Sequence, residues 1–248
     1  MDILGLQIDS VRFAESITKV LEWGFAHASS YVCFANVHMT MEAFYDHPFQ
    51  MEVNGAQLVL ADGKPIAKAC KWIHGEEQER IAGMDFMPRI IEAAAAAGAG
   101  LFFYGSTPEL LKTLEGKIKD QYPNIKISGM FSPPFHKLSQ EEIDGHIAMI
   151  NQSGANIVLV SLGCPKQEKW MAACYQKINA VMLGVGGAFM VMAGLQKRAP
   201  IWMQGWGLEW LYRLAQEPGR LFKRYFLTNT VFIYLLFKTI IQKKWRRV

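Results

Sequence analysis

Short apolar, β-branched or aromatic runs recur along the chain between longer stretches whose apolar residues repeat at helical spacing. The runs Tyr31–Ala35, Gln57–Ala61, Gly100–Tyr104, Ile125–Gly129, Asn156–Leu162 and Ala180–Val185 read as strands. Helices fit between them, over about Asp9–Ala28, His38–His47, Lys64–Ile73, Asp85–Ala97, Pro108–Asp120, Ser139–Ser153 and Pro165–Tyr175. Two of the starts carry local signals. Ser106-Thr107-Pro108-Glu109 offers an N-cap with Pro in the first turn, and Ser139-Gln140-Glu141-Glu142 has the form of a capping box. Regular alternation of strand and helix is what βαβ units produce. The pattern therefore predicts an α/β fold, a Rossmann-like, mostly parallel sheet with flanking helices.

After Gly194 the pattern changes. Trp202, Trp206, Trp210, Tyr212, Phe222, Tyr225, Phe226, Phe232, Tyr234, Phe237 and Trp245 crowd into a segment with no strand signal. Two or three helices, broken near Pro200 and Pro218-Gly219, are expected there. Charge divides at the same place. The 248 residues carry a net +4, but from Lys197 onward eleven Lys and Arg stand against Glu209 and Glu217 alone, a net of +9 that leaves the first 196 residues at −5. The expected organisation is an α/β domain over 1–196 and a basic, aromatic helical appendage over 197–248. A hydrophobic fraction of 51% is enough to build a core, which excludes a disordered chain.

A basic helical face among aromatics suits an anionic bilayer or a diphosphate. Because the positive charge is confined to a hydrophobic tail, nucleic acid is not the expected partner. The run Tyr225–Ile241 is interrupted by Thr228, Asn229, Thr230 and Lys238, short of the ~18 to 20 clean apolar residues of a spanning helix. It is expected to lie on a membrane instead of crossing one. On a continuous helix Arg213, Arg220 and Arg224 would share a face. Cys33, Cys70, Cys164 and Cys174 lie far apart with apolar or small neighbours and read as reduced, buried thiols of a cytosolic protein. The start MDILGLQIDS lacks the basic, long apolar form of a signal peptide.

Three predicted strands end in small or polar turns that open a helix, the place where parallel α/β sheets present free N–H groups to anions. They are Tyr104-Gly105-Ser106-Thr107, Ser161–Glu168 with Gly163 and Gln167, and Gly184–Phe189 with Gly186 and Gly187. Together they suggest a nucleotide or diphosphate ligand; for the last, close packing is an equal reading. Asp62 follows an apolar strand in Leu60-Ala61-Asp62-Gly63-Lys64, where a rigid sheet end would fix a general base. On the residues alone, an Asp-Gly turn capping the next helix is the commoner explanation. Arg80, in Glu79-Arg80-Ile81-Ala82-Gly83-Met84-Asp85, can hold phosphate through its planar fork or simply pair with Glu76 or Glu79. Asn36 in Asn36-Val37-His38 can hydrogen-bond a ligand, while His38, His74 and His136 read as structural or solvated. There is no Asp-x-Asp motif for a divalent metal.

These blocks in this order resemble the WecG/TagA/CpsF glycosyltransferases of bacterial envelope polysaccharide assembly. The residues that carry the likeness are the Asn36 turn, VNGAQLVLADG, ERIAGMD, LFFYGS, LVSLGCPKQEKW, GVGGAF and RAPIWMQGWGLEWLYRLAQEPGRL. The resemblance implies an inverting, metal-independent transfer of a sugar from a UDP-sugar to an undecaprenyl-diphosphate-linked saccharide at the cytoplasmic face of the membrane. No cofactor is implied. It points to N-acetylmannosamine or a related hexose as the sugar, with glucosyl or glucuronosyl transfer as the alternative. It also implies a peripheral location in the cell envelope and self-association into a homo-oligomer. Asp62 matches the family's proposed base, Arg80 its phosphate-binding arginine and Gln167 the Gln of its PKQE motif. Arg213, Arg220 and Arg224 match arginines that close over the site and reach the lipid diphosphate. Phe34 stands where many members have Thr, Lys64-Pro65 replaces a more apolar pair, and the tail after Leu227 is long. Two competitors have their own signatures. A nicotinamide-dependent oxidoreductase needs a glycine fingerprint on the first βα turn, where Asn36-Val37-His38 stands instead. A non-catalytic membrane scaffold leaves Asp62, Arg80 and the three turns without a purpose.

Overall fold

The central strands form because both their faces are apolar. Val32, Phe34, Leu58, Leu60, Leu101 and Phe103 point to one side and Cys33, Ala35, Val59, Ala61, Phe102 and Tyr104 to the other, each set in a separate buried cluster. A sheet covered on both faces is what a parallel arrangement requires. The computed structural model describes residues 1–136 and 138–245; of Arg220, Leu221, Lys223, Arg224 and Lys244 it describes only the backbone.

A two-residue hairpin, β1 (Asp2–Ile3) and β2 (Leu6–Gln7), opens the chain and precedes α1 (Phe13–Phe25). Then come β3 (Ser30–Ala35), α2 (Val37–Tyr45), α3 (His47–Asn54), β4 (Leu58–Ala61), α4 (Lys64–His74) and α5 (Gly83–Ala97). They are followed by β5 (Leu101–Gly105), α6 (Pro108–Gln121), β6 (Ile127–Phe131), α7 (Gln140–Gln152), β7 (Ile157–Ser161), α8 (Lys166–Cys174), β8 (Val181–Gly184) and α9 (Ala188–Met192). The tail supplies α10 (Ile201–Trp206), α11 (Glu209–Gln216) and α12 (Pro218–Trp245). Six strands make one sheet in the order β4-β3-β8-β7-β5-β6, every pairing parallel.

The expected α/β fold with a mostly parallel sheet is what the chain adopts, and all six expected strands are present within two residues. Ser139 and Glu142 form the expected capping box, and the Thr107 side chain caps α6. Three elements depart from expectation. The β1–β2 hairpin is too short to show a period. Helix α3 follows directly on α2, started by the Asp46 side chain and by Pro48 in its first turn. Helix α5 begins at Gly83 with Ala82 in the cap position, so Asp85 is inside the helix and not its cap.

The tail breaks at Gly207, in the left-handed conformation, and at Glu217. Arg213 therefore sits on α11 and Arg220 and Arg224 on α12, and the single continuous helix that would align the three does not form. Helix α12 packs against α2, α4 and α11. Phe232 and Leu236 on it are buried in the cluster that includes Cys33 and Ala61. Its outer side leaves Phe226, Tyr234, Phe237 and Trp245 in solvent, as α10 leaves Trp202 and Trp206. Among the described residues, one helix, Tyr225–Lys243, is long and apolar enough to cross a membrane by length and composition alone.

Candidate active site

The C-terminal ends of β3, β4 and β8 open on a cleft of about 910 Å³ whose far wall is the tail. Asn36, Asp62, Arg80, Gly163, Gln167, Gly186, Gly187 and Arg213 all line it. Open parallel sheets bind ligands outside the carboxyl ends of their strands, and the cleft is in that position.

Asn36 is the hinge between two functions. Its Oδ1 accepts from Met39 N at 3.1 Å and caps α2, leaving the amide nitrogen to donate to the Asp62 carboxylate. Asp62 itself is not a helix cap: Gly63 occupies that position for α4 without a side-chain hydrogen bond. The backbone of Asp62 is fixed by its N–H to Ala35 O at 2.8 Å, continuing the β3–β4 pairing. Burial pushes the carboxyl up, Arg213 draws it down, Glu209 raises it, and Arg80 and the Asn36 hydrogen bond lower it. The result is a carboxyl raised from 3.8 to about 6. Half-buried, held by a side-chain donor and titrating near neutrality, it has the properties of a general base.

Arg80 pairs with neither Glu76 nor Glu79. Its guanidinium meets Asp85 at 2.5 Å and Glu209 at 3.8 Å, while Arg198 meets the same two acids at 2.5 and 3.4 Å. Burial opposes ionisation of Asp85, but Arg198 and Arg80 outweigh it and hold that carboxyl below its ordinary value. Two arginines and two carboxylates balance, so the network tethers α11 to the start of α5 and leaves little net charge for a ligand. Arg213 differs. Its Nη2 donates to the Met84 thioether at 3.1 Å and lies 3.6 Å from where a Cβ on Gly187 would sit. Among the described residues it forms no ion pair, so its positive charge faces the cleft.

Gln167 lies against Gly184 and Gly186, with the fully buried Glu168 behind it. Burial raises the Glu168 carboxyl to about 7, against the hydrogen bonds from Gln167 and Cys164 that lower it. Phe34, the residue that replaces Thr, packs edge-on to Phe86 at 5.2 Å and gives the cleft an apolar side. Cys33, Cys70 and Cys174 are buried, but Cys164 is half-buried on the cleft wall.

Gly105 and Ser106 are not part of this cleft. A Cβ on Gly105 would come within 2.3 Å of Ser161 O, so that glycine is required by close backbone packing at φ +115°. The Ser106 N–H donates to Ser161 O, and the Gly186 N–H to Val160 O. Both amides are thus committed inside the fold; for the Gly186 turn this agrees with the close-packing reading, although Gly186 and Gly187 still line the cleft. Arg220 and Arg224 belong to α12, but their side chains lie outside the described residues.

Lys64 and Lys68 also line the cleft; neither was assigned to the site, although their spacing of four on a helix was a readable signal. Asp85, Arg198, Glu209 and Glu168 stand inside the motif blocks, but their partnerships were not readable there, because only folding brings Arg198 and Glu209 to Asp85 or buries a glutamate on α8. Compared against protein families, residues 1–246 match the Glycosyl transferase WecG/TagA/CpsF family.

Proposed function

Because this chain belongs to the WecG/TagA/CpsF family and is a glycosyltransferase, we propose that its cleft binds a UDP-sugar and passes the sugar, with inversion, to an undecaprenyl-diphosphate-linked saccharide. The observation that carries this reading is Asp62, a carboxyl raised to about 6 with Asn36 donating to it and a cationic Arg213 across the cleft. The acceptor hydroxyl oxygen attacks the anomeric carbon and its proton passes to the Asp62 carboxylate. The bond from that carbon to the diphosphate oxygen breaks, its electron pair leaving on UDP. Above pH 6 Asp62 is mostly ionised and close to the working pH, the condition that favours a general base. Arg213, whose charge is not neutralised, takes the developing charge on the diphosphate, helped by Lys64 and Lys68; Arg80 contributes through the balanced network that places α11. No step calls for a divalent metal.

N-acetylmannosamine or a related hexose is the proposed sugar, with glucosyl or glucuronosyl transfer as the alternative within the family. The oxidoreductase reading is set aside by membership of a transferase family and by the first turn, where the Asn36 side chain caps α2 in place of a glycine-rich diphosphate loop. We further propose attachment at the cytoplasmic face of the membrane through the outer sides of α10 and α12. Phe232 and Leu236 seat α12 on the body, which supports a helix lying along the bilayer with its opposite, aromatic side in the headgroups. Appendage and body thus count as separate units in function, 197–248 and 1–196, although they share a core.

The test is incubation with a panel of UDP-sugars and a synthetic lipid-diphosphate acceptor carrying one sugar, read by mass spectrometry. Gain of one hexose-type residue by the acceptor, with release of UDP, supports the proposal. Transfer only from a non-uridine donor, or none to a lipid diphosphate, overturns it.

A further inference from the structure

The orientation of the Gln167 amide is dictated from behind. Its Nε2 donates to Glu168 Oε1 at 2.6 Å and to Gly184 O at 2.9 Å. A backbone carbonyl can only accept, and a glutamate oxygen that receives a hydrogen bond is acting as an acceptor whichever oxygen carries a proton. Both amide hydrogens are therefore used, and Oε1 is turned to the opposite side. That oxygen is buried and has no hydrogen-bond partner among the described residues, in a residue only 5% exposed. It faces the Gly186 turn, where a Cβ would lie 3.3 Å away, and Gln167 and Gly186 both line the cleft.

A buried carbonyl without a donor is costly, and an occupant of the cleft that brings an O–H or N–H to it removes that cost. We infer that Glu168 is a positioning residue that makes Gln167 an acceptor only, so that the cleft selects at this point a hydroxyl or N–H of its ligand and not a phosphate oxygen. A phosphate oxygen would face the amide carbonyl as one acceptor against another. This rests on the reading of the cleft as a UDP-sugar site. It deepens that reading by placing the sugar ring or the uracil N3–H, and not the diphosphate, against Gln167.

Calorimetric binding of UDP, UDP-glucose, UDP-N-acetylglucosamine, their singly deoxygenated analogues and N3-methyl-UDP tests the assignment. One analogue is expected to bind about 10-fold more weakly than its parent, because it leaves the Gln167 carbonyl unpaired. Gln167→Met should close that gap to within about 2-fold by removing the acceptor. Glu168→Leu should shrink it to about 3-fold or less, since one amide hydrogen then has no partner. Glu168→Gln should restore it, because the new side-chain oxygen can still accept from Nε2. Thermal unfolding identifies any variant that fails to fold, and Gln167→Met and Glu168→Gln then decide the matter without Glu168→Leu. Equal binding of every analogue to wild type, or full discrimination by folded Glu168→Leu, overturns the inference while leaving the functional reading intact. Failure to bind UDP or either UDP-sugar overturns the functional reading, and the inference with it.

Discussion

Replacing Asp62 with Asn tests the electrostatics of the site through stability instead of turnover. The fold raises this carboxyl from 3.8 to about 6, so above that pH the native state holds a charge that its surroundings disfavour and the unfolded chain does not. At about 1.4 kcal/mol per pKa unit, a shift of about two units corresponds to roughly 3 kcal/mol. Asp62 is half-buried on the wall of an open cleft, so screening offsets part of this and about 1–2 kcal/mol is the expected gain for a neutral amide of the same shape. The amide oxygen still accepts from Asn36. The stability associated with a raised carboxyl is present below its unfolded value and lost as pH rises through its folded value. The penalty that the Asn removes is accordingly absent below pH 3.8, grows toward 6 and is complete above it. Asp62→Asn should raise Tm by about 3–6 °C at pH 7.5 and leave it unchanged near pH 4. Scanning calorimetry of both proteins between pH 4 and 8 gives the comparison. A variant less stable at pH 7.5, or a gain that does not shrink on acidification, would refute the account.

The same substitution should lower turnover about 10²- to 10⁴-fold while donor binding is retained, and wild-type kcat/KM should fall as pH drops through about 6, seen in steady-state assays. Arg198→Met leaves Asp85 and Glu209 to share Arg80; a loss of about 1–2 kcal/mol and a turnover reduced by about tenfold are expected as α11 and Arg213 loosen, measured by denaturant unfolding beside the activity assay. Gly105→Ala places a Cβ 2.3 Å from Ser161 O at a positive φ, and should cost more than about 3 kcal/mol or prevent folding, as read from soluble yield and Tm. Removing 197–248 should abolish transfer to a lipid-linked acceptor and flotation with anionic vesicles; it also uncovers the seat of Phe232 and Leu236, so the shortened protein should bind a hydrophobic dye more strongly than the full chain.

The sheet was legible because its strands are apolar on both faces, so Tyr31–Ala35 and Ile157–Leu159 stand out as unbroken runs. Hairpin β1–β2 was not, since two residues show no period, and α3 was missed although Asp46-His47-Pro48 is a helix start by its own chemistry. In the site, Asp62, Asn36, Arg80, Gln167 and Arg213 were nameable from motifs and do meet in one cleft. Their partnerships were not nameable. Pairing with Glu76 or Glu79 was one of two readings for Arg80, yet besides Asp85 it meets Glu209, 129 residues away. The glycines misled in a different way, because a Gly-rich strand end looks the same whether it yields to a ligand, as Gly163 can, or to the next strand, as Gly105 does.

Strand β8 lies between β3 and β7, and no other described strand joins the pair β4–β3 to the trio β7–β5–β6. The last described strand in chain order is therefore the keystone of the sheet. Until Val181–Gly184 leaves the ribosome, the chain carries two part-sheets with open inner edges at β3 and β7, both lined with apolar residues. Long-range pairing of this kind closes slowly and leaves unpaired strands exposed meanwhile. A transcript truncated before β8 should therefore yield aggregate, not a partly active enzyme. The cleft, which needs Asn36 from the early part of the chain and Gly186 and Arg213 from the late part, comes into being only when that final strand slots home.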